Sequence, residues 1–281
     1  MIPTLGNNQL LTTLKYISQS SIKPYEIIFI IPKIYKNRLN FLKLYKKTKY
    51  KIVLSKEKNQ VKQRILGFKK SKKFFVVQMD DDIFVSKNCL LKLYKKIKSI
   101  KENVAIAPRY IVNQRLSSIY KKPNNLLLKF YHWLINSTKG FKPGSISLSG
   151  FNYADENKKI GVKKQEWLSG GIIIHKKENL ILDNYYPYNF DKSYCEDVLH
   201  SLLLRRNNVK LIKYYEAQVS EFTQGNIVNN NLIKTLKSFF SEVLIRYYIV
   251  SKFNLSKIRL VIYYLIYFLR IVIKKIKLWI N

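Results

Sequence analysis

The stretch at residues 74–85, FFVVQMDDDIFV, constrains the chain more than any other. Its apolar run does not alternate with polar residues, so it reads as a strand covered on both faces, as in a mostly parallel sheet. Asp80, Asp81 and Asp82 follow at its carboxyl end, where open α/β sheets place their ligands. Carboxylates at i and i+2 can converge on one hard divalent cation, which can in turn grip a diphosphate. Acids after a strand also serve simply to solvate a turn, and Ser86 offers a cap for a helix starting near Lys87. The motif alone leaves both readings open.

Around this strand the chain alternates. Leu10, Leu14 and Ile17 recur at helical spacing, and an apolar strand follows Pro24 at 26–31. A short strand at 51–54 precedes a helix marked by Val61, Ile65 and Phe68. After the acidic turn come a helix with Leu90, Leu91, Tyr94 and Ile97 inward, and a buried strand at 104–107. This alternation predicts a doubly wound α/β domain. Residues 111–164 read as irregular, with an apolar-aromatic patch at 126–135 and a Gly/Ser-rich loop at 144–152, the kind of loop that forms lids or acceptor sites. The α/β pattern returns with EWLSGGIIIH at 166–175, a helix carrying Val198, Leu199, Leu202 and Leu203, and a strand at 210–215. From about residue 230 two long helical stretches follow, so the expected organisation is a domain over 1–227 and a basic, amphipathic helical extension over 228–281.

The net charge of +35 suggests an anionic partner. Only nine of the 52 basic residues are Arg, and the lysines are spread over nearly every surface segment. No arginine-rich arm, zinc-ligand set or aromatic RNA-binding signature is present, so nucleic acid is not expected. A diffuse lysine field suits an anionic membrane surface, and so does residue 255–280, where aromatic and apolar residues mix with Lys257, Arg259, Arg270, Lys274, Lys275 and Lys277. Compositional bias, with Lys, Ile, Asn and Tyr jointly abundant, accounts for the charge almost as well. No stretch reaches the roughly 18 uninterrupted apolar residues of a membrane span. No signal-peptide pattern opens the chain, and Cys89 and Cys195 make no disulfide framework, so a reducing, cytoplasmic location on the inner membrane face is the expectation.

Three segments stand in a fixed order: NQVKQRILG (59–67), QMDDDI (78–83), and EWLSGG with CED (166–197). Together they resemble the family 2 inverting glycosyltransferases of the GT-A fold, a Rossmann-like, mostly parallel mixed sheet flanked by helices. The resemblance spans roughly residues 1–225 and is strongest over 166–217. It implies a nucleotide-diphosphate sugar donor (UDP-linked in most such enzymes), Mg2+ or Mn2+, and a lipid-linked or surface-polysaccharide glycan acceptor. By position it assigns Asp82 and Asp80 to the metal. Thr4, Arg64, Asp80 and Asp81 fall on the nucleotide and diphosphate. Trp167, Gly170, Gly171 and Glu196 fall beside sugar and acceptor, and Asp197 is the catalytic base.

The chemistry suits these residue types. Inverting transfer needs a base on the acceptor hydroxyl and a cation on the departing diphosphate. Taken alone, Glu196-Asp197 reads first as an acidic pair complementing a helix dipole, and its register with WLSGG is what reverses this in favour of catalysis. The sequence also departs from the family pattern. Ile31-Pro32-Lys33 occupies the place of a customary acid near the nucleotide base, and VSEF replaces a metal-binding His, leaving Glu221 as a substitute ligand or none. Only Met1 and Ile2 precede Pro3, so the first strand reads as clipped. His132 reads as packing, and Cys195 as a small filler with no histidine in sequence to activate it. Two rivals remain: a metal-dependent nucleotidyltransferase, which needs neither WLSGG nor ED, and a basic nucleic-acid-binding protein.

Overall fold

The computed structural model describes residues 1–44, 48–111, 123–156, 160–190, 192–221 and 232–280. Its sheet begins with three parallel strands, β1 (Ile2–Pro3), β2 (Ile27–Pro32) and β3 (Tyr50–Ser55), with β1 beside β2 and β2 beside β3. The apolar run of 74–85 is β4 (Phe75–Met79), and the apolar residues after the acidic turn form β5 (Ile83–Val85). β4 continues the sheet from β1: the Met79 amide donates to the Met1 carbonyl at 3.0 Å, and the Met1 amino group donates to the Val77 carbonyl at 2.7 Å. Beyond it lie β6 (Val104–Tyr110), β7 (Val162–Gln165), β8 (Ile172–Lys176) and β9 (Lys210–Glu221). β8 pairs antiparallel with both β4 and β6, and β6 runs parallel to β9. β9 carries β5 and β7, both antiparallel. The arrangement is therefore mixed: among the described pairings β1–β2, β2–β3 and β6–β9 are parallel, and β4–β8, β6–β8, β5–β9 and β7–β9 are antiparallel.

Helices α1 (Gln9–Gln19), α2 (Gln60–Lys70), α3 (Cys89–Ser99) and α5 (Glu196–Arg206) flank it. Leu10, Leu14 and Ile17 of α1 and Leu93 and Ile97 of α3 pack on Phe29, Ile106 and Ile172 of the sheet. The helix after the acidic turn is entered through Asn88, and Ser86 contributes its carbonyl to the Cys89 amide.

The middle of the chain is more regular than its sequence suggests. The patch at 126–135 is a helix, α4 (Leu126–Asn136), whose start is capped by the Asn125 side chain on the Leu127 amide at 2.7 Å. Its apolar residues surround the helix instead of forming one stripe, which hid the period. His132 sits among the Tyr131, Phe141 and Tyr153 rings, in keeping with packing. A buried ion pair, Lys213–Glu156, and a half-buried one, Lys163–Asp155, tie the segment after the Gly/Ser-rich loop onto β9 and β7.

The helical extension comprises α6 (Leu232–Lys252) and α7 (Lys257–Ile280). The expected boundary at 227/228 lies outside the described residues. Ile245 and Ile249 of α6 share one apolar cluster with Val61 and Ile65 of α2 and Val198 and Leu199 of α5. The extension thus packs on α2 and α5. Among the described residues no helix is long and apolar enough to cross a membrane.

Candidate active site

The carboxyl ends of β1, β4, β6 and β9 reach the same edge of the sheet, and β8 starts there. That edge delivers Thr4, Asp80, Tyr110, Glu221 and Gly170–Gly171 to one place, as parallel sheets do with their ligand-binding residues. The Asp80 amide donates to the Gly171 carbonyl at 2.8 Å, which locks the acidic turn against the glycine pair.

The i, i+2 spacing of the acids has the expected consequence. Asp80 and Asp82 wall a cavity of about 420 Å³ together with Gly170, Gly171, Glu196, Asp197 and Glu221. Asp81 turns away into a neighbouring cavity of about 190 Å³ with Thr4, Leu5 and Asn7. Its carboxylate accepts from the Thr4 hydroxyl at 2.5 Å, while the Thr13 hydroxyl holds its carbonyl at 2.8 Å. Gln60, Lys192 and Ser193 border both cavities, so the two adjoin at a waist formed by these residues.

Negative charge is concentrated on one side of the larger cavity. Burial, then the charges of Asp80, Glu221 and Asp81, push the Asp82 carboxyl up to about 7. Glu221, paired in register with Ile83, is raised by burial and then by Asp80. Such a cluster invites a cation. Among the described residues no three His, Cys, Asp or Glu side chains close into a ready-made metal cage. Asp80 and Asp82 still fit Mg2+ or Mn2+, which bind through one or two carboxylates and take their remaining ligands from phosphates and water.

Arg64 lies beneath this cluster instead of projecting into the larger cavity. Its guanidinium is 2% exposed and donates to Asp80 at 2.8 Å, to the Gly170 carbonyl at 3.2 Å, and to Glu196. Burial disfavours its charge, but Asp80 and Glu196 outweigh that and hold it protonated.

On the other side stands the acidic pair. Cys195, at the entrance to α5, adopts φ +51°, a left-handed backbone that is costly for a residue with a Cβ and is found at functional sites. The turn starts the helix with Glu196 buried and Asp197 half-buried at the cavity wall. Burial pushes Glu196 up to about 7, with Arg64 opposing and Asp197 adding to the rise. Asp197 is likewise raised by burial, offset by the Val198 amide and by Arg246. Cys195 is pushed up to about 12 by burial, so its thiol is no nucleophile.

Trp167 is not brought to the cavity wall. Its indole N–H donates to the Tyr153 carbonyl at 2.9 Å, and the ring packs with the α2–α5–α6 cluster. Several wall residues carried no sequence signal. Tyr110, at the end of β6, is the one that counting strand ends would have found. Lys192 sits in the loop before α5, and Glu242 and Arg246 come from α6. Arg246 stacks on Phe151 at 3.7 Å and donates to the Gly150 carbonyl at 2.8 Å and to Glu242 at 2.9 Å.

The fold belongs to the GT-A class. The structure of GalNAc-T7 with UDP, GalNAc and Mn2+ matches with a TM-score of 0.56 at 16% identity, covering 82% of this chain and 45% of that one. Two structures of S. aureus TarS 1-349 match less well. The one with UDP-GlcNAc has TM-score 0.49 and 14% identity, with 86% of this chain and 65% of that one covered. The other has TM-score 0.46 and 16% identity, with 76% and 58% covered. This chain therefore spans less than two thirds of the length of each. The family model described as glycosyl transferase family 2 matches residues 2–152, more than half of the chain, which thus belongs to that family. That match includes the acidic turn and Arg64 but stops short of WLSGG and the Glu196-Asp197 pair. No curated protein matches.

Proposed function

We propose that the chain transfers a sugar, with inversion, from a nucleotide-diphosphate donor to a glycan acceptor. The observation that carries this reading is that Asp80, Asp82 and Asp197 wall one cavity, which adjoins at Gln60 and Lys192 a second beside Thr4 and Asp81. In this reading the nucleoside lies in the smaller cavity and the sugar in the larger. Asp82 and Asp80 would hold Mg2+ or Mn2+, with Glu221 within the same wall. A bound cation supplies charge neutralisation for the departing diphosphate. Lys192 is the lysine at the waist, while Arg64 acts from below by fixing Asp80.

Asp197 accepts the acceptor hydroxyl proton as the acceptor oxygen bonds to the anomeric carbon and the bond from that carbon to the diphosphate oxygen breaks. Glu196, held by Arg64, and Gly170–Gly171 shape the sugar and acceptor end. UDP is the expected nucleotide, and the acceptor is a lipid-linked or surface-polysaccharide glycan. Residues 1–227 form the catalytic domain in this scheme, with 228–281 resting on the inner face of the cytoplasmic membrane.

The test is thermal stability of the protein with UDP, GDP, CDP and dTDP, each with and without Mn2+, alongside Asp82→Asn. A ligand at 100 times its dissociation constant adds roughly 2.7 kcal/mol. The expected result is a shift that needs one diphosphate and the metal and is lost in the variant. Stabilisation by duplex DNA and by no diphosphate would sink the enzyme reading. A nucleotidyltransferase would keep its activity in Asp197→Asn.

A further inference from the structure

Three helices of this molecule carry apolar side chains that their packing leaves uncovered. On α4, Leu126 is 80% exposed and Leu127 76%, with Phe130 and Trp133 also exposed. On α6, Leu236, Phe240 and Leu244 recur every four residues along one exposed stripe. On α7, Val261, Leu265 and Phe268 do the same at spacings of four and three. These are not misplaced core residues, because the helices have separate inward faces: Ile245 and Ile249 of α6 and Leu260 of α7 are buried. The helices also hold one another. Arg259 of α7 donates to the Trp133 and Leu134 carbonyls at the end of α4, at 2.8 and 2.6 Å. The Phe239 ring of α6 meets Tyr264 and Tyr267 of α7 at 5.6 and 6.0 Å. Exposed apolar area this concentrated marks an interaction surface.

We infer that the outward faces of α4, α6 and α7 together form a docking face for an anionic lipid bilayer. Charge selects this occupant. Two copies of a +35 chain repel as they approach, whereas an anionic bilayer attracts it. Lys129, Lys237, Lys252 and Lys257 are exposed on or beside these helices, the arrangement of apolar and aromatic anchors with lysines that suits a headgroup boundary. Because no described helix can span a membrane, the contact is with the bilayer surface.

The docking face bears on the acceptor, a consequence that rests on the proposed function. The face of α6 opposite its exposed stripe supplies Glu242 and Arg246 to the cavity that holds Asp197. A docked α6 is then both membrane contact and cavity wall. An acceptor hydroxyl carried on a lipid reaches the base without leaving the bilayer.

The test is co-sedimentation of the full chain with vesicles of phosphatidylcholine alone and of phosphatidylcholine with phosphatidylglycerol. Two double variants run beside it, Phe240→Ser with Leu265→Ser and, on α4 alone, Leu126→Ser with Leu127→Ser. The expected result is binding to the anionic vesicles only, weakened about tenfold or more in each variant, since each removes two large apolar side chains from the contact. The diphosphate-dependent thermal shift should be unchanged in both, which separates this inference from the donor-site reading and shows that the variants fold. Three outcomes overturn it: no vesicle binding; binding lost in salt yet indifferent to the substitutions; or a self-associating protein that the same substitutions make monomeric.

Discussion

Arg64 Nη2 lies 2.8 Å from Asp80 Oδ1, and the other amino nitrogen of the same guanidinium is bonded to Glu196. One buried cation therefore joins the acidic turn after β4 to the first residue of α5. In the proposed reaction these are the diphosphate side and the base side of a single cavity, so their spacing depends on this side chain. The arginine fork suits the task because it donates in two directions at fixed geometry.

Replacing Arg64 with Met leaves Asp80 and Glu196 without their shared partner in a buried place. The expected cost is about 3–5 kcal/mol, the usual result of removing one member of a buried ion pair. Arg64→Lys keeps the charge and loses the fork, so it should recover part of the stability. Urea denaturation of both variants checks this, and a cost below about 1 kcal/mol for Arg64→Met would mean that the pair contributes little.

Asp197→Asn should lower the turnover number by about 10²–10⁴, the range for a positioned general base. The Asn side chain keeps the shape, and its Oδ1 can still accept the adjacent Val198 amide that Asp197 accepts at 2.8 Å, so folding and the diphosphate-dependent thermal shift should be retained. Loss of both activity and donor binding would point to a structural role instead.

The Glu196-Asp197 pair also makes a statement about pH. Glu196 is pushed up to about 7, first by burial, and Asp197 is raised as well. A base must be ionised, so kcat/KM should fall with decreasing pH, starting above the usual carboxylate range because Asp197 is raised. The charge of Asp197 raises Glu196, and repulsion between adjacent carboxylates acts on both. Glu196→Gln removes one charge, so the acid limb of the profile should move to lower pH. A limb that stays in place would mean that another group controls it.

Gly171 and Gly170 are constrained by contact. A Cβ on Gly171 would lie 2.3 Å from the Tyr110 hydroxyl and 3.2 Å from Ile83. One on Gly170 would lie 2.5 Å from the Glu196 carboxylate, which Arg64 holds in place. Gly171→Ala and Gly170→Ala should each cost about 1–3 kcal/mol, the range for overpacking. Melting temperatures test this, and unchanged values would show that Tyr110 or Glu196 yields freely.

What could be read from the sequence, and what could not, follows from the range of the interactions. The strand and acidic turn were legible because an apolar run and an i, i+2 pair are local patterns that the sheet edge preserves. WLSGG and ED stood out through their order, and the structure brings Gly170, Gly171, Glu196 and Asp197 to one cavity wall but leaves Trp167 away from it. The buried, bridging position of Arg64 was not legible: the resemblance put it on the diphosphate, whereas its partners in the structure, Asp80 and Glu196, lie 16 and 132 residues away. Glu242 and Arg246 were missed because the chain past residue 228 read as an appendage. The lysine-glutamate pair under the loop, Lys213 with Glu156, joins residues 57 apart and had no pattern to announce it.

One buried histidine takes no part in the proposed chemistry. His175, on β8 between Val76 and Ala105, is fully buried, and neither ring nitrogen has a hydrogen-bond partner among the described residues. Burial, then the charge of Arg64, pushes it down to about 3. The unfolded chain takes up a proton on this residue near pH 6.5, while the folded chain does so only near 3. Between those values the unfolded state binds more protons, so stability falls with decreasing pH by about 1.4 kcal/mol per unit from this residue alone. The raised carboxylates act in the opposite sense: Glu196 gives stability that is lost as pH rises through about 7. A comparison with His175→Leu removes that background, because the carboxylates are common to both proteins. Between pH 6.5 and 5 the variant should gain on the parent by roughly 2 kcal/mol in urea denaturation. A gap independent of pH would mean that His175 takes up its proton within the folded core.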